Sequence, residues 1–316
     1  MKRLFAVVLG LVLCWVLVSS QSGAEARTVT DELGRTLELP ADIGRIVSLA
    51  PSITESVFAV GRGESLVGVT RYSDYPGQAQ SLPSVGSYVN LNVEKIVSLQ
   101  PDLCLATKDG NPYPVIRQLE QAGIPVYALD PRDLPAVMDT LLKLGQLLDA
   151  QDKAQEVVAQ MRRELQELQA LVDQVTDRPK VFFQIGISPI VSVGTDTFIH
   201  ELITLAGGVN VAAGSVQYPR YSREDVLVFN PDLILINSMS KEEDLVQAEI
   251  DRWQEFPQID AVADSRIHSL DASLFNRPTP RLTRALRTLV HLFHPQVAAG
   301  RDILRPDDDE GGSGHD

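Results

Sequence analysis

Tyrosine is the residue type in this sequence whose placement most suggests a binding function. Six of the seven tyrosines fall in predicted loops, within the segments RYSDYP, VGSYVN, GNPY and QYPRYS. Most of these loops follow a predicted strand or precede the next helix, which is where parallel α/β sheets bind their ligands. Since a tyrosine presents a flat apolar ring with a hydroxyl at its edge, the set predicts an aromatic-lined slot for a large, flat, mostly apolar ligand. For each single tyrosine, packing of the ring beneath its own loop is the competing interpretation.

The segment DASLFNRPTPR, residues 271–281, adds an aromatic ring and a cation to this set. Phe275 is a further candidate for the wall of the slot. Arg277 could bind an amide oxygen or a carboxylate of a ligand, because its guanidinium presents several donors in a fixed geometry. Pro278 and Pro280 stiffen the segment and start the last predicted helix.

Signatures of enzymes are scarce. The sequence contains no G-x-x-x-x-G-K phosphate loop, no G-x-S-x-G elbow and no H-E-x-x-H zinc motif. All five histidines fall in the second half of the chain, so a metal site across a two-lobed cleft would lack histidine from one wall. We therefore expect a protein that is not an enzyme and that carries no metal site and no cofactor of its own.

The charge of the chain narrows the choice of partners. Its formal net charge is −14 at pH 7, which argues against nucleic acid and against an anionic membrane surface. Only Cys104 remains after a predicted N-terminal targeting segment is removed, so no internal disulfide is possible.

The elements that must position these residues are predicted from the alternation of strands and helices. This pattern is typical of an α/β fold, here with two Rossmann-like lobes that each contain a parallel sheet. Residues 150–176 contain no glycine or proline and place apolar residues at helical spacing, which predicts one long helix between the lobes. Because such a helix is a stiff connection, we expect only a slight rotation of the lobes on ligand binding.

Five segments follow from this pattern. Lys2 and Arg3 precede an apolar stretch at 4–18 and the small-residue sequence Ala24-Glu25-Ala26, the order of a cleaved secretory signal peptide. We therefore predict a signal peptide at 1–26, a first α/β lobe at 27–149, a connecting helix at 150–177, a second α/β lobe at 178–296 and an acidic disordered tail at 297–316. A cleaved signal peptide of this kind implies export, and we expect the periplasm.

Two kinds of short motif predict where helices begin. SITE, residues 52–55, matches a capping box, in which Ser52 and Glu55 would each satisfy a backbone N–H group. The segments NVEKIVSLQPDLCL (92–105) and SREDVLVFNPDLIL (222–235) share a capping residue, a glutamate two positions later and a Pro-Asp-Leu turn into a strand. We interpret them as equivalent elements of the two lobes.

These phrases together carry a resemblance to a known family. RIVSLAPSITE, YSDYP, NVEKIVSLQPDL, GNP, QIGISP, YSREDV and RPTPR occur in this order. In that order and spacing the chain resembles the cobalamin-binding periplasmic proteins of bacterial ABC importers, within the wider class III of carriers for corrinoids, haem and ferric siderophores. The resemblance implies two α/β lobes joined by one long helix, with the ligand between the lobes.

The resemblance also implies roles for individual residues. It implies a ligand contact at Tyr72, and a second one on the opposite wall formed by Ser273, Leu274, Phe275, Asn276 and Arg277. Tyr88 and Tyr218 stand where the enterobacterial proteins of the family have tryptophan, and we expect both to contact the ligand. The residues of the family's disulfide are missing here.

The resemblance further implies a partner, the dimeric permease of an ABC importer. Glu94 and Glu224 match the family's docking glutamates, and a symmetric permease could offer one basic pocket to each. The competing interpretation is that both carboxylates only stabilise the N-termini of their helices. We expect the carrier to be a monomer.

Two alternatives remain open for the ligand and the activity. A haem or ferric-siderophore carrier of the same class fits the same pattern, since tyrosine can ligate haem iron. A chelatase that inserts metal into a tetrapyrrole can share the two-lobed architecture. It would need a proton-accepting histidine or carboxylate over the ring, and the first lobe has no histidine.

Overall fold

The computed structural model describes residues 27–237 and 243–298. The predicted signal peptide and residues 299–316 of the predicted tail lie outside this part of the chain. Within the described ranges, no helix combines the length and the apolar character that crossing a membrane requires.

The first lobe contains a four-stranded parallel sheet between helices. Its strands are β3 (Ile46–Ser48), β4 (Leu66–Gly68), β7 (Leu103–Thr107) and β8 (Val126–Leu129), in the order β4-β3-β7-β8. Two antiparallel pairs flank the sheet, β1 (Arg27–Thr30) with β2 (Thr36–Leu39) and β5 (Gly86–Ser87) with β6 (Asn90–Leu91). The helices of the lobe are α1 (Pro51–Ala59), α2 (Val93–Ser98), α3 (Tyr113–Gln121) and α4 (Leu134–Leu147).

The second lobe repeats this topology after the long helix α5 (Gln151–Val172). Its parallel strands are β9 (Lys180–Gln184), β11 (Val209–Asn210), β13 (Leu233–Ile236) and β14 (Ile267–Ser269), in the order β11-β9-β13-β14. The strands β10 (Ile190–Val191) and β12 (Arg220–Tyr221) form an antiparallel pair. The helices are α6 (Phe198–Leu205), α7 (Arg223–Phe229), α8 (Glu243–Trp253), α9 (Asp260–Ala263), α10 (Ala272–Phe275), α11 (Leu282–Phe293) and α12 (Pro295–Ala298). Both sheets place their first strand between the second and the third, which confirms the predicted class of two α/β lobes with parallel sheets.

Helix α5 connects the two lobes and packs against both of them. Its 22 residues correspond to about 33 Å at 1.5 Å per residue. One face is buried against α4 of the first lobe and α11 of the second. A β-carbon on Gly145 of α4 would lie 2.5 Å from the β-carbon of Ala154 of α5, so the two helices approach closely at this glycine. One continuous apolar cluster includes residues of α5 and of both lobes, and the connection therefore belongs to the core.

The repeated Pro-Asp-Leu phrase has a structural function that is the same in both lobes. Oδ2 of Asp102 accepts hydrogen bonds from the backbone N–H groups of Gly44 (3.0 Å) and Arg45 (2.8 Å), just before β3. Oδ2 of Asp232 accepts one from the N–H of Lys180 at 2.6 Å, where β9 begins. Each aspartate thus joins the start of the third strand to the start of the first strand, which fixes the register between them.

Candidate functional site

A cleft of about 1750 Å³ lies between the lobes, at the carboxyl ends of both parallel sheets. Loops that follow β3, β4, β7 and β8 form one wall, and loops that follow β11 and β14 contribute to the other. In parallel α/β sheets this edge is where ligands bind, because the strand ends converge there and the loops can vary freely.

Six of the eight predicted ligand contacts lie in this cleft. Tyr72 and Tyr88 belong to the wall of the first lobe, and Tyr72 has 44% of its surface exposed. Tyr218 belongs to the wall of the second lobe and is 54% exposed. The remaining three, which follow β14, are Ser273, Asn276 and Arg277.

The prediction for Leu274 and Phe275 needs correction. Both side chains pack in the core of the second lobe, with 7% and 1% of their surface exposed, and the Phe275 ring centroid lies 6.0 Å from that of Phe183. The reason is the short helix α10, which replaces the expected loop. Polar residues 273, 276 and 277 are spaced as neighbours on one helical face, and that face lines the cleft while the two apolar residues point to the core.

Buried hydroxyl groups position the loop that carries Tyr72. Oγ1 of Thr54 in α1 lies 2.9 Å from Oγ of Ser48 and 2.9 Å from Oγ of Ser73, and Ser73 also lies 3.0 Å from Oγ1 of Thr70. All four residues are buried. Since a buried hydroxyl is costly to leave unpaired, this cluster holds the backbone next to Tyr72 against α1 and β3.

Asn111 in the phrase GNP positions Tyr88, although it is not among the site residues predicted from the sequence. Its Oδ1 accepts a hydrogen bond from the N–H of Thr107 at 2.8 Å. Its Nδ2 donates to the carbonyl oxygens of Leu49 (2.8 Å) and Tyr88 (2.9 Å). The preceding Gly110 has φ +150°, and a β-carbon there would lie 2.7 Å from the Tyr88 ring. The conjunction of a glycine with a polar residue in a loop after a strand is the signal that could have identified this residue.

Charged residues of the first lobe lie close to Tyr218 of the second. Arg132 pairs with Asp109 (Nη2–Oδ2 3.1 Å) and with Asp130 (Nε–Oδ1 3.0 Å). Partial burial raises the pKa of the Tyr218 hydroxyl, Asp109 raises it further, and the Arg132 cation opposes this effect. Tyr218 is therefore a neutral hydrogen-bond donor at neutral pH.

At another part of the cleft, four charged residues form what we call the Glu55 ion cluster: Glu55, Asp74, Arg277 and Arg281. Nη1 of Arg277 lies 2.8 Å from Oε1 of Glu55 and 2.8 Å from Oδ1 of Asp74. Burial lowers the pKa of Arg277, but hydrogen bonds to Asp74 and Glu55 outweigh this effect, so that the pKa is raised and the cation is stabilised.

The capping box predicted for Ser52 and Glu55 is wrong. Helix α1 begins at Pro51, its N-cap is Ala50, and no side chain caps it. A proline at the first helical position needs no partner for an N–H group that it lacks. The Glu55 carboxylate is instead bound by the two arginines of the second lobe.

The two predicted docking glutamates, Glu94 and Glu224, are exposed and each is the second residue of its helix. Other side chains cap these helices, namely Asn92 in α2 and Ser222 with Asp225 in α7. Within the part of the chain that the structure describes, neither glutamate has a hydrogen bond or an ion pair with a side chain.

The charged residues that line the cleft are mostly acidic. Among residues 27–237 and 243–298, the lining contains two guanidinium groups, those of Arg132 and Arg277, and six carboxylates, those of Asp74, Asp109, Asp130, Asp196, Asp244 and Asp271. This described part of the lining therefore carries a net negative charge. Over residues 27–237 and 243–298, no group of three or more histidine, cysteine, aspartate or glutamate side chains is placed to hold a metal ion.

Comparison with known proteins identifies the family to which this architecture belongs. Residues 46–274 match the family model described as periplasmic binding protein. The vitamin B12-binding protein of Yersinia pestis (strain Pestoides F) is 36% identical over 257 residues, which covers 80% of this chain and 88% of that protein.

Solved structures give the same result for the fold. The periplasmic vitamin B12-binding protein BtuF of Vibrio cholerae is 32% identical, with a TM-score of 0.71 over 81% of this chain and 98% of that one. The periplasmic heme-binding protein RhuT from Roseiflexus sp. RS-1 is 29% identical, with a TM-score of 0.73 over 81% of this chain and 99% of that one. The resemblance inferred from the sequence phrases is thereby confirmed, and the chain belongs to the periplasmic binding protein family.

Proposed function

We propose that this protein captures a corrinoid, cobalamin, between its two lobes in the periplasm and delivers it to the permease of an ABC importer. The observation that carries the proposal is the cleft itself, at the carboxyl ends of two parallel sheets, with tyrosines on both walls. The relatives named as vitamin B12-binding proteins support the choice of ligand. The predicted signal peptide and the family support the location.

The size and lining of the cleft suit a large macrocycle. Its volume of about 1750 Å³ exceeds the roughly 300–1,000 Å³ of sites for drug-sized ligands. Tyr72 and Tyr88 on one wall and Tyr218 on the other can pack their rings against the faces and edges of a corrin. Ser273 and Asn276 add a hydroxyl and an amide, which suit the amide side chains of cobalamin.

The charge of the cleft favours a corrinoid over haem. Haem carries two propionate groups, whereas the side chains of cobalamin's corrin ring are neutral amides. Over the described residues the lining has six carboxylates and two guanidinium groups, and this excess of negative charge repels an anionic ligand. The same carboxylates can accept hydrogen bonds from ligand amides.

A haem carrier is the second candidate. It is favoured by the similar TM-score of the haem-binding structure and by the two half-exposed tyrosines, Tyr72 and Tyr218, since a tyrosine hydroxyl can ligate haem iron.

Calorimetry of the mature protein with cyanocobalamin and with haem is the direct test. We expect tight binding of cyanocobalamin and weak binding of haem. Tyr72→Ala and Tyr218→Ala should each weaken cobalamin binding by about fivefold or more, since an aromatic contact contributes on the order of 1 kcal/mol. Tyr113→Ala is the matched control, because Tyr113 is 67% exposed and does not line the cleft. Tight haem binding with a tyrosinate spectrum, and no heat with cobalamin, would establish the second candidate instead.

A catalytic role is not part of the proposal. The relatives are named as binding proteins. Incubation of the protein with a metal-free tetrapyrrole and a metal ion should leave the absorption spectrum of the ring unchanged, whereas metal insertion would favour a chelatase. Sedimentation of the purified protein should give the mass of a monomer.

We further infer that Glu94 and Glu224 dock on the permease. Both carboxylates are exposed, both occupy equivalent positions in the two lobes, and neither is used for capping. Charge pairs at two equivalent points would fix both register and orientation on a symmetric dimer.

Removal of both carboxylates tests the docking proposal. Glu94→Ala with Glu224→Ala should leave cobalamin affinity unchanged and strongly reduce binding to the permease and uptake by cells that lack the native carrier. Glu167→Ala with Glu255→Ala is the control, since it removes two exposed carboxylates from other surfaces. Normal uptake with the first pair would show that the glutamates have no docking role.

A further inference from the structure

Glu55 is a buried carboxylate of the first lobe whose hydrogen-bond partners belong to the second lobe. Its side chain is 2% exposed. Nε of Arg281 donates to Oε2 at 2.9 Å, Nη2 of Arg281 donates to Oε1 at 2.8 Å, and Nη1 of Arg277 donates to Oε1 at 2.8 Å. Both arginines are also largely buried, at 12% and 13% exposure.

The Glu55 ion cluster is divided between the lobes by sign. Both carboxylates, Glu55 and Asp74, come from the first lobe, and both guanidinium groups, Arg277 and Arg281, come from the second. The four formal charges balance. Any movement that separates the lobes at this point must break every one of these ion pairs at the same time.

The same arginines hold the loop that carries Tyr72. Nη2 of Arg277 donates to the carbonyl oxygen of Tyr72 at 2.9 Å. The guanidinium carbon of Arg281 lies 4.0 Å from the centre of the Tyr75 ring, a cation–π geometry. The cluster therefore links the width of the cleft to the position of a cleft-lining tyrosine.

We propose that Glu55 is a positioning residue that holds the lobes at one separation and keeps Arg277 in the wall of the cleft. Loss of one partner from a buried ion pair leaves the other charges in a poorly solvated site. Without the Glu55 carboxylate, the two arginines therefore move towards water and the lobes separate. The effect of Glu55 on the separation of the lobes does not depend on the ligand. Its effect on ligand exchange rests on the proposed corrinoid-binding function.

The second lobe contains a matched control. Glu249 is fully buried, its carboxylate binds Nη2 of Arg223 at 2.8 and 2.9 Å, and Arg252 lies 3.5 Å away. Arg223 also lies over an aromatic ring, that of Trp253, at 4.3 Å. Like Glu55, Glu249 is a buried glutamate with two arginines close to its carboxylate, but all of these residues lie within a single lobe.

The first experiment measures the distance between the lobes in ligand-free protein. Spin labels are attached at Gln121→Cys and Gln258→Cys, which are exposed and lie in different lobes, while the native Cys104 is buried. Double electron–electron resonance should give one narrow distance distribution for the otherwise native protein and for Glu249→Gln. Glu55→Gln should give a broader distribution displaced from the native one.

The second experiment measures exchange of cyanocobalamin by stopped flow. Glu55→Gln should accelerate dissociation about tenfold or more, and Glu249→Gln should leave it near the native rate even though both substitutions lower the unfolding temperature. Failure of the native protein to bind cobalamin would reject the proposed function and would leave the distance experiment valid.

If Glu55→Gln does not fold, the variant Arg281→Lys is used for the same test. Lysine keeps the charge but loses the two parallel hydrogen bonds and the planar stacking group, so the same displaced distribution is expected. A native distance distribution in the folded variant, or equal effects of Glu55→Gln and Glu249→Gln on distance and dissociation, would overturn the proposal.

Discussion

Replacement of Asn111 by alanine should damage both the stability of the first lobe and its binding of the ligand. The residue is 8% exposed, and its side chain makes three hydrogen bonds, with the N–H of Thr107 and with the carbonyl oxygens of Leu49 and Tyr88. Alanine leaves all three backbone groups without this partner.

The expected magnitude follows from the burial of these groups. A buried polar group that loses its partner costs about 1–3 kcal/mol. Leu49 is fully buried, so its carbonyl bears the whole penalty, whereas Thr107 and Tyr88 line the cleft and water can replace part of the loss. We therefore expect a decrease in the free energy of unfolding of about 2–4 kcal/mol.

Urea denaturation and calorimetry measure the two consequences separately. Asn210→Ala is the control, since Asn210 is 5% exposed and bonds to the backbone of Val193 and Ala212 in the second lobe. Both variants should lose stability, but Asn111→Ala should also weaken cobalamin binding by about five- to tenfold through the loosened Tyr88 ring. A loss of stability below about 1 kcal/mol for Asn111→Ala would refute the hydrogen-bond argument.

Three further predictions concern titratable groups. Burial raises the pKa of the Cys104 thiol to about 12, so Ellman's reagent should react with it only after unfolding, and rapid reaction with native protein would contradict this. Desolvation lowers the pKa of His268 and of His294 below 6.5, so the folded protein favours the neutral side chains. Their contribution to stability is therefore complete above that pH and is lost as the pH falls. Replacement of both by glutamine should flatten the decrease in melting temperature between pH 7 and pH 5, and an unchanged decrease would count against the prediction. Glu201 accepts a hydrogen bond from the N–H of Leu134 in the other lobe at 2.8 Å, and desolvation, partly offset by this bond, raises its pKa above 4.5. The contribution of Glu201 to stability is therefore largest below that pH and is lost as the pH rises. Glu201→Gln should consequently melt at pH 7 at a temperature equal to or above that of the native protein. The difference in melting temperature between the two proteins should vanish at pH 4.

The local spacing of apolar residues predicts much of this fold. Parallel sheets and the long helix α5 follow from it because both depend on patterns within a few turns or strands. The repeated Pro-Asp-Leu phrase also predicts the equivalence of the lobes. It does not predict that Asp102 and Asp232 bind the start of another strand, since that contact requires the folded sheet.

The lining of the cleft is predictable only in part. Leu274 and Phe275 were assigned to it from the family resemblance and because their segment was expected to be a loop, whereas one turn of helix is enough to direct them to the core. The partners of Glu55 lie 222 and 226 residues further along the chain. A short motif such as a capping box cannot contain that information, and the local interpretation of Glu55 fails for this reason.

The distribution of sign in the Glu55 ion cluster also makes the two lobes distinguishable. The lobes share one strand order, so a lobe could in principle pair with the same lobe of another molecule. In a contact between two first lobes, the carboxylates of Glu55 and Asp74 would face the same carboxylates of the other molecule. In a contact between two second lobes, arginines would face arginines. Because like charges in a poorly solvated contact disfavour association, this contact is stabilised only between a first lobe and a second lobe, and it discriminates against the pairing of two equivalent lobes.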